Sequence, residues 1–286
     1  MPKIAVVTDS ACDLPQTVLD QYGITLVPLV VRFGTDVYLD RQLTLDEFWQ
    51  KAQSTPPQTS QPSAGMFEQV FAPLVEQGHH VICLVITGRH SGTYNSAYIA
   101  AQKFPGQVTI FDTLSLSLAQ GYQAITAARA AAEGRSVEEI IALLESVRAR
   151  IHLFIGLDTI EYLRRGGRAD KLMPVLQRVV RVMNIKVLLK LVDGQLELLG
   201  VARSRKKSMQ RIQQEVMRYA PAEMLIVAHT RRGDEVTGFA RALAEQLNFP
   251  FEQVLLGEAG PILSSHAGPG VMAAAIVQRA AQRYPQ

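Results

Sequence analysis

Apolar and polar positions alternate in blocks along the first half of the chain. KIAVVTDS (3–10) is a valine-rich apolar run with a polar exit, and ITLVPLVVRF (24–33) reads as a second strand. Asp13 is placed to cap a short helix, with Pro15 early in it, where a missing N–H costs little. TLDE from Thr44 predicts a capping box with Glu47, and Leu45, Phe48, Trp49 and Ala52 follow at helical spacing. The pattern then breaks at STPPQTSQPSAG (54–65), whose Pro, Ser, Thr and Gln predict a loop. Ser63 can cap the next helix, MFEQVFAPLVEQG. After it come the strand VICLVI, a helix from about Thr93 to Lys103, and the strand VTIFDT (108–113). Ser136 and Glu139 make a second capping box before VEEIIALLESVRARI.

Strands and helices in alternation imply a parallel sheet covered by helices. Ligands of such sheets sit beyond the carboxyl ends of the strands. The polar exits TDSACD (8–13), TGRHSG (87–92) and DTLSLS (112–117) are therefore expected to converge on one crevice. Past about residue 150 the pattern changes. KVLLKLVDGQLELLGVARS (186–204) is a pair of apolar runs around Asp193-Gly194, a dipeptide suited to the type I′ turn of a hairpin. MLIVAHT (224–230), a helix from about Asp234 to Leu247, and QVLLGEAGP (253–261) follow. A hairpin joined to α/β units predicts a mixed sheet. The expectation is an α/β protein of two domains, 1–148 and 149–286.

Composition narrows the function classes. Hydrophobic residues make up 48% and charged residues 19%, enough apolar material for a sizeable core. A formal net charge of +3 is too mild to imply a nucleic-acid partner. Cys12 and Cys83 fit neither a metal-ligand spacing nor a disulfide framework. No Walker A sequence, HExxH or CxxC occurs, so no metal or cofactor is expected. MPKIAVVTDS runs almost directly into a strand and fits no signal peptide. VMAAAIV (271–277) is far short of the roughly 20 apolar residues a spanning helix needs. A soluble, cytoplasmic protein is expected.

GRHSGTYNS (88–96) places Ser91 on a tight turn between a strand and a helix. The amides of Gly92 and Thr93 should open that helix, where free N–H groups and the helix dipole favour an anion. Ser91 then reads in one of three ways: a plain N-cap, a donor to a bound anion, or a hydrolase nucleophile. A nucleophile elbow wants G-x-S-x-G, and here the first glycine stands one place too far away. A triad also needs a base. His90 is adjacent and should point elsewhere, while His229 and His266 are open candidates. In PILSSHAGPGV (261–271) the glycine–proline turn could hold His266 at a pocket rim, or His266 could be satisfied by backbone near a helix start. GPGVMA matches a dinucleotide fingerprint only formally, because no further strand with an acidic residue follows. TSQPS (59–63) is a stiff hydroxyl-bearing loop or a plain surface loop. RRGGR (164–168) and ARSRKK (202–207) read as solvated basic faces, the second also as a docking patch for an acidic partner or phosphates.

Taken in order, these stretches resemble the DegV family of bacterial fatty-acid-binding proteins. TDSACDLP (8–15), TSQPS (59–63), HSGTYNSA (90–97), LDTIEYLRRGGR (157–168), ARSRKKSM (202–209) and SSHAGPG (264–270) are similar to its motifs, nearly end to end. The resemblance implies an N-terminal three-layer α/β/α domain with a mainly parallel sheet. A C-terminal two-layer α/β domain with a mixed sheet would follow, with a long-chain fatty acid held between the two. The family's carboxylate-binding hydroxyls carry over to Thr59 and Ser91, with the Gly92 amide beside them, and its motif histidine to His266. The resemblance also implies a substrate-binding subunit rather than a catalyst. An ATP-binding fatty acid kinase would be the partner, acyl phosphate the product, phospholipid synthesis its use, and Arg203 and Arg205 the docking residues. Arg89 and His90 depart from the small residues usual before the S-G-T-Y segment, and Arg89 is expected to face solvent or the partner. A serine hydrolase using Ser91 on an acyl ester is the alternative. A nucleic-acid-binding protein resting on RSRKK is a weaker third.

Overall fold

In the computed structural model, which describes residues 3–168, 174, 176 and 185–280, period-two side-chain alternation decides the layering. Strands β1 (Lys3–Asp9), β2 (Thr25–Val27), β6 (His79–Val85) and β7 (Val108–Asp112) form a four-stranded, all-parallel sheet in the order β2-β1-β6-β7. Val7, Val81, Cys83 and Val85 face helices α3 (Ala64–Glu76) and α4 (Thr93–Ala101), packing on Phe67, Phe71 and Ala97. Val6, Ile82 and Leu84 point the other way, onto helix α5 (Ser117–Ala132).

Helix α5 was not expected. It is an alanine-rich segment buried along nearly its whole length, so it has no polar stripe to reveal a helical period. The cause is a second sheet on its far side. Strands β8 (Ile151–Leu157), β9 (Lys186–Val192), β10 (Gln195–Ala202), β11 (Ala222–His229), β12 (Leu255–Glu258) and β13 (Met272–Gln278) form a six-stranded mixed sheet in the order β10-β9-β8-β13-β11-β12. Only β11 and β12 pair in parallel. Leu153, Ile155, Leu189 and Ile226 share a core with α5. The opposite face, with Phe154, Leu188, Leu225 and Ala274, packs on α8 (Arg205–Met217) and α9 (Gly233–Gln246). The run VMAAAIV falls in β13, a central strand buried on both faces and therefore apolar without alternation.

Several local expectations hold. Thr44 with Glu47 and Ser136 with Glu139 form complete capping boxes at the starts of α2 (Leu45–Ser54) and α6 (Val137–Ala149), and Ser63 caps α3. Asp193 and Gly194 have φ of 47° and 76°, as a type I′ turn requires. Others are corrected. ITLVPLVVRF is two strands, not one. Pro28, which has no N–H, separates β2 from β3 (Val30–Phe33), and β3 joins a small antiparallel sheet with β4 (Asp36–Leu39) and β5 (Gln58–Ser60). The 54–65 loop thus contains a strand. Asp13 caps no helix ahead of it, since α1 (Gln16–Tyr22) has Pro15 at its N-cap. Instead it accepts hydrogen bonds from Ser117 Oγ at 2.6 Å and from the Gly260 amide at 2.9 Å, tying β1's exit to the second sheet's loops.

The strand exits do converge. Asp9 is fully buried and accepts from the amides of Ala11 (3.0 Å) and Ile86 (2.7 Å) and from Gln120 Nε2 (3.1 Å). The Thr87 amide donates to the Ser115 carbonyl at 2.9 Å, and Thr87 Oγ1 donates to the Gly194 carbonyl at 2.9 Å, across to the hairpin turn. Among the described residues no helix is long and apolar enough to cross a membrane.

Burial pushes Asp9 up to about 6 despite those donors. The folded chain then holds a proton on Asp9 between pH 4 and 6 that the unfolded chain has released, so this residue's contribution to stability falls as pH rises through that window. The stability advantage of wild type over Asp9→Asn should therefore shrink by about 2–3 kcal/mol between pH 4 and pH 7. Thermal melts of both proteins across that range check it, and a pH-independent difference would contradict it.

Candidate functional site

Thr59 sits on β5, paired with Val31 of β3, a register that turns its hydroxyl toward the seam between the two sheets. Ser91 and Gly92 occupy the turn between β6 and α4, and Gly92 is the N-cap of that helix. His266 stands near the end of helix α10 (Pro261–Ala267), between the two sheets in space although far from Thr59 in sequence. The fold brings these expected residues together. His266 Nε2 lies 2.7 Å from Thr59 Oγ1, and Thr59, Ser91 and His266 all line one cavity of about 110 Å³.

That cavity is apolar behind its polar rim. Leu29, Ile86 and Leu116 come from the N-terminal half, Ile155, Leu157, Leu189 and Leu196 from the six-stranded sheet, and Ile262 and Leu263 from α10. The same strand alternation that packs Leu153 and Ile155 against α5 turns Leu157 and Leu189 toward the seam. The rim combines a helix N-terminus with hydroxyls. The Thr93 amide reaches Ser91 Oγ at 3.3 Å, and Ser91 Oγ lies 2.7 Å from Thr93 Oγ1. A side chain at Gly92 would overlap the Gln61 amide group, so glycine is needed there for close approach rather than for its backbone angle.

Desolvation, the Arg168 guanidinium and His90 lower the His266 pKa to about 4, so the ring is neutral at neutral pH. Nδ1 has no partner and faces Gly166, where any Cβ would strike it. A buried lone pair costs less than a buried N–H without an acceptor, so the favoured tautomer carries its proton on Nε2 and donates to Thr59. The Thr59 hydroxyl proton is then free to point at a ligand. Ser264 and Ser265, also in the SSHAGPG stretch, direct their hydroxyls to the carbonyls of Ala259 and Pro261 and do not reach the cavity.

Two residues inside the quoted motifs, to which the sequence reading gave no site role, also stand here. Arg168, read as part of a solvated basic run, lines the cavity. Its guanidinium donates to the Gly166 carbonyl at 2.9 Å, and it supplies the positive charge that the expected donors lack. The signal for it was the Gly166-Gly167 pair, because Gly167 ends α7 (Glu161–Gly166) with φ 65° and turns the chain back to the rim. Gln61 is the second, set between Gly92 and Ser96. His90 lines the same cavity as Ser91. Its Nε2 accepts from the Leu196 amide at 3.1 Å while its ring also bonds the Arg168 backbone, and its pKa is lowered by burial. His90 thus joins the turn after β6 to the hairpin and to the end of α7. Arg89 is exposed.

The geometry gives Ser91 no base. His266 is committed to Thr59, His90 to Leu196, and His229 accepts from the Arg232 amide at 3.2 Å. Among the described residues no histidine held by a carboxylate lies beside Ser91, which leaves the nucleophile reading without support. Of the basic stretch, Arg203 is exposed, whereas Arg205 is partly buried. Arg205 pairs with Asp158 (2.9 Å) and Glu235 (2.6 Å) and donates to the Gly270 carbonyl, so its guanidinium is a brace rather than a free cation.

Comparison with known proteins identifies the family and the fold. The model of the DegV family (uncharacterised protein, DegV family) matches residues 3–279. A DegV domain-containing protein of Deinococcus radiodurans is 35% identical over 280 residues, covering 96% of this chain and 98% of that one. Among solved structures, a fatty-acid-binding DegV family protein from Thermus thermophilus superposes with a TM-score of 0.88 at 34% identity, covering 98% of this chain and all of that one. A stearic-acid-binding protein from Eubacterium ventriosum gives a TM-score of 0.84 at 27% identity, covering 97% of this chain and 99% of that one. Matched over nearly its whole length by the family model and by a relative at 35% identity, the chain belongs to the DegV family.

Proposed function

We propose that this protein binds a long-chain fatty acid in the seam between its two sheets and presents the carboxylate to an ATP-dependent fatty acid kinase. One observation carries the reading: an apolar cavity between the halves of the chain that ends at Thr59, Ser91, Arg168 and a neutral His266. Similar proteins described as fatty-acid binding support it.

Magnitudes apportion the work. Taking a carboxylate out of water costs several kcal/mol, and hydrogen bonds to a charged group return about 1.5–3 kcal/mol each. The rim donors, Thr59 Oγ1, Ser91 Oγ, the Gly92 amide and Arg168, roughly offset that cost and fix the direction of the ligand. Affinity comes from the tail, at about 0.8 kcal/mol per buried methylene. No group here needs to be catalytic. With the kinase, one carboxylate oxygen would bond to the terminal phosphorus of ATP. The bond from that phosphorus to its bridging oxygen would break, and ADP would leave with the electron pair. The segment around Arg203 is the docking face in this reading, with Arg203, Lys206 and Lys207 exposed and Arg205 anchoring it through Asp158 and Glu235.

Denaturing extraction of the purified protein followed by mass spectrometry should release a stoichiometric long-chain acid. An empty protein that also ignores added palmitate and oleate would sink the reading. Replacing both Thr59 and Ser91 by alanine should weaken palmitate binding by about 2–3 kcal/mol, roughly 30- to 150-fold, in a calorimetric titration. Unchanged affinity would remove these hydroxyls from the site. Leu196 lines the cavity without being fully buried, so a tryptophan there can be accommodated. Leu196→Trp should shift the preference from stearate toward shorter acids such as decanoate, as competition binding would show. Equal loss for all chain lengths would place Leu196 outside the tail path.

A further inference from the structure

Asp13, in the TDSACDLP stretch, has no part in the site described so far. Its backbone is left-handed, with φ 52°, and so is that of Ser117 at the start of α5, with φ 54°. Residues with a side chain adopt this conformation at a cost and keep it where their surroundings over-determine it. Here the two are joined to each other. Ser117 Oγ donates to one carboxylate oxygen of Asp13 at 2.6 Å, and the Gly260 amide donates to the other at 2.9 Å. Asp40 and Arg41 border the same crevice but are engaged elsewhere. Asp40 accepts from the Arg41 amide at 3.1 Å, and the Arg41 guanidinium donates to the Leu14 carbonyl at 2.6 Å.

Gly260 is the N-cap of α10 and has no side chain with which to cap it. The helix has seven residues, too few to be stable alone, so whatever grips its ends fixes where it lies. Its C-terminal end is tied to its own sheet, through Thr230 Oγ1 donating to the Gly268 carbonyl at 2.7 Å. Among the described residues, two side-chain hydrogen bonds join α10 and its cap to the N-terminal half. One is Asp13 with the Gly260 amide, and the other is His266 with Thr59. Six positions separate Gly260 from His266, about 9 Å along a helix. Over so short a rod an axial slip at one end is passed on undiminished to the other. The 2.7 Å contact of His266 with Thr59 survives only about 0.5 Å of such a slip before it exceeds hydrogen-bonding distance.

We propose that Asp13 is a positioning residue: by gripping the cap of α10 it sets the height at which His266 meets Thr59. This rests on the fatty-acid reading above and adds a residue that acts on the ligand only through His266. Asp13 lines no part of the acyl cavity. Desolvation pushes its pKa up to about 7, so near neutral pH the uncharged carboxyl is as much its working form as the carboxylate. In both forms one oxygen accepts from the Gly260 amide, and asparagine keeps that acceptor.

Palmitate titrations of Asp13→Ala, alone and combined with His266→Ala, test this. Asp13→Ala should weaken binding about tenfold in the wild-type background and less than about twofold in the His266→Ala background, because residues that act through one another do not add. Asp13→Asn should stay within about threefold of wild type. Equal losses in both backgrounds would make Asp13 a fold residue and overturn the proposal. No loss in Asp13→Ala, or an asparagine variant as weak as the alanine one, would overturn it too. If Asp13→Ala does not fold, Ser117→Ala takes its place, with a loss of about threefold that His266→Ala again abolishes. The imidazole nitrogen-15 signals of His266 in ligand-free protein give a readout that needs no fatty acid. Wild type and Asp13→Asn should show a fixed tautomer protonated on Nε2, and Asp13→Ala an averaged one. The same fixed tautomer in Asp13→Ala overturns the proposal. A wild type that ignores palmitate yet shows this change in its ring signals removes the fatty-acid reading and leaves the positioning role standing.

Discussion

Helix α5 is a wall shared by two sheets, and nearly everything about the site follows from that. A helix buried along nearly its whole length must be covered on both sides, here by the parallel sheet of β1, β2, β6 and β7 and by the mixed sheet of β8 to β13. The apolar contact on α5 sets how far apart the sheets stand and where the seam between them opens. The polar links across the seam, Asp13 to Gly260, Thr87 to Gly194 and His90 to Leu196, are hydrogen bonds of modest individual strength. They orient the halves that the apolar contact has already joined.

Within the seam, polar groups stand at the end of an apolar cavity. Hydroxyls, a helix N-terminus and the exposed Arg168 share that end with a neutral His266 hydrogen-bonded to Thr59. Holding His266 neutral costs little, because Gly166 leaves its unprotonated nitrogen against carbon rather than against a donor. The glycines flanking the site serve approach as much as turning. Gly92 admits Gln61, and Gly166 admits the imidazole.

What could be read from the sequence was whatever has a local cause. Capping boxes at Thr44 and Ser136, the Asp193-Gly194 turn and the polar exits of three strands depend on neighbouring residues, and they stand where the pattern put them. The motif resemblance brought out Thr59, Ser91 and His266, which periodicity alone left between functional and ordinary roles. Illegible features have distant causes. The α5 segment hides its helical period because a second sheet removes its polar side. Thr59 looks like loop because β5 is too short to show alternation and exists only through pairing with β3. Asp13 resembles a cap until Gly260, remote in sequence, takes its carboxylate. Arg168 is exposed, as a basic run suggests, and what the run does not reveal is that Gly167 turns the chain so that Arg168 also lines the cavity.

The placement of β13 has a bearing on how such a protein comes into being. It follows β8 to β12 in the chain, yet it lies between β8 and β11, pairing with both. During synthesis, while the N-terminal parallel sheet can already form, β8 and β11 emerge from the ribosome with no partner for the edges they will later share. His266, immediately upstream of β13, is equally late to arrive. The seam is thereby completed only in a chain translated through β13, and a nascent or cut-short polypeptide that lacks it leaves the edges of β8 and β11 unpaired.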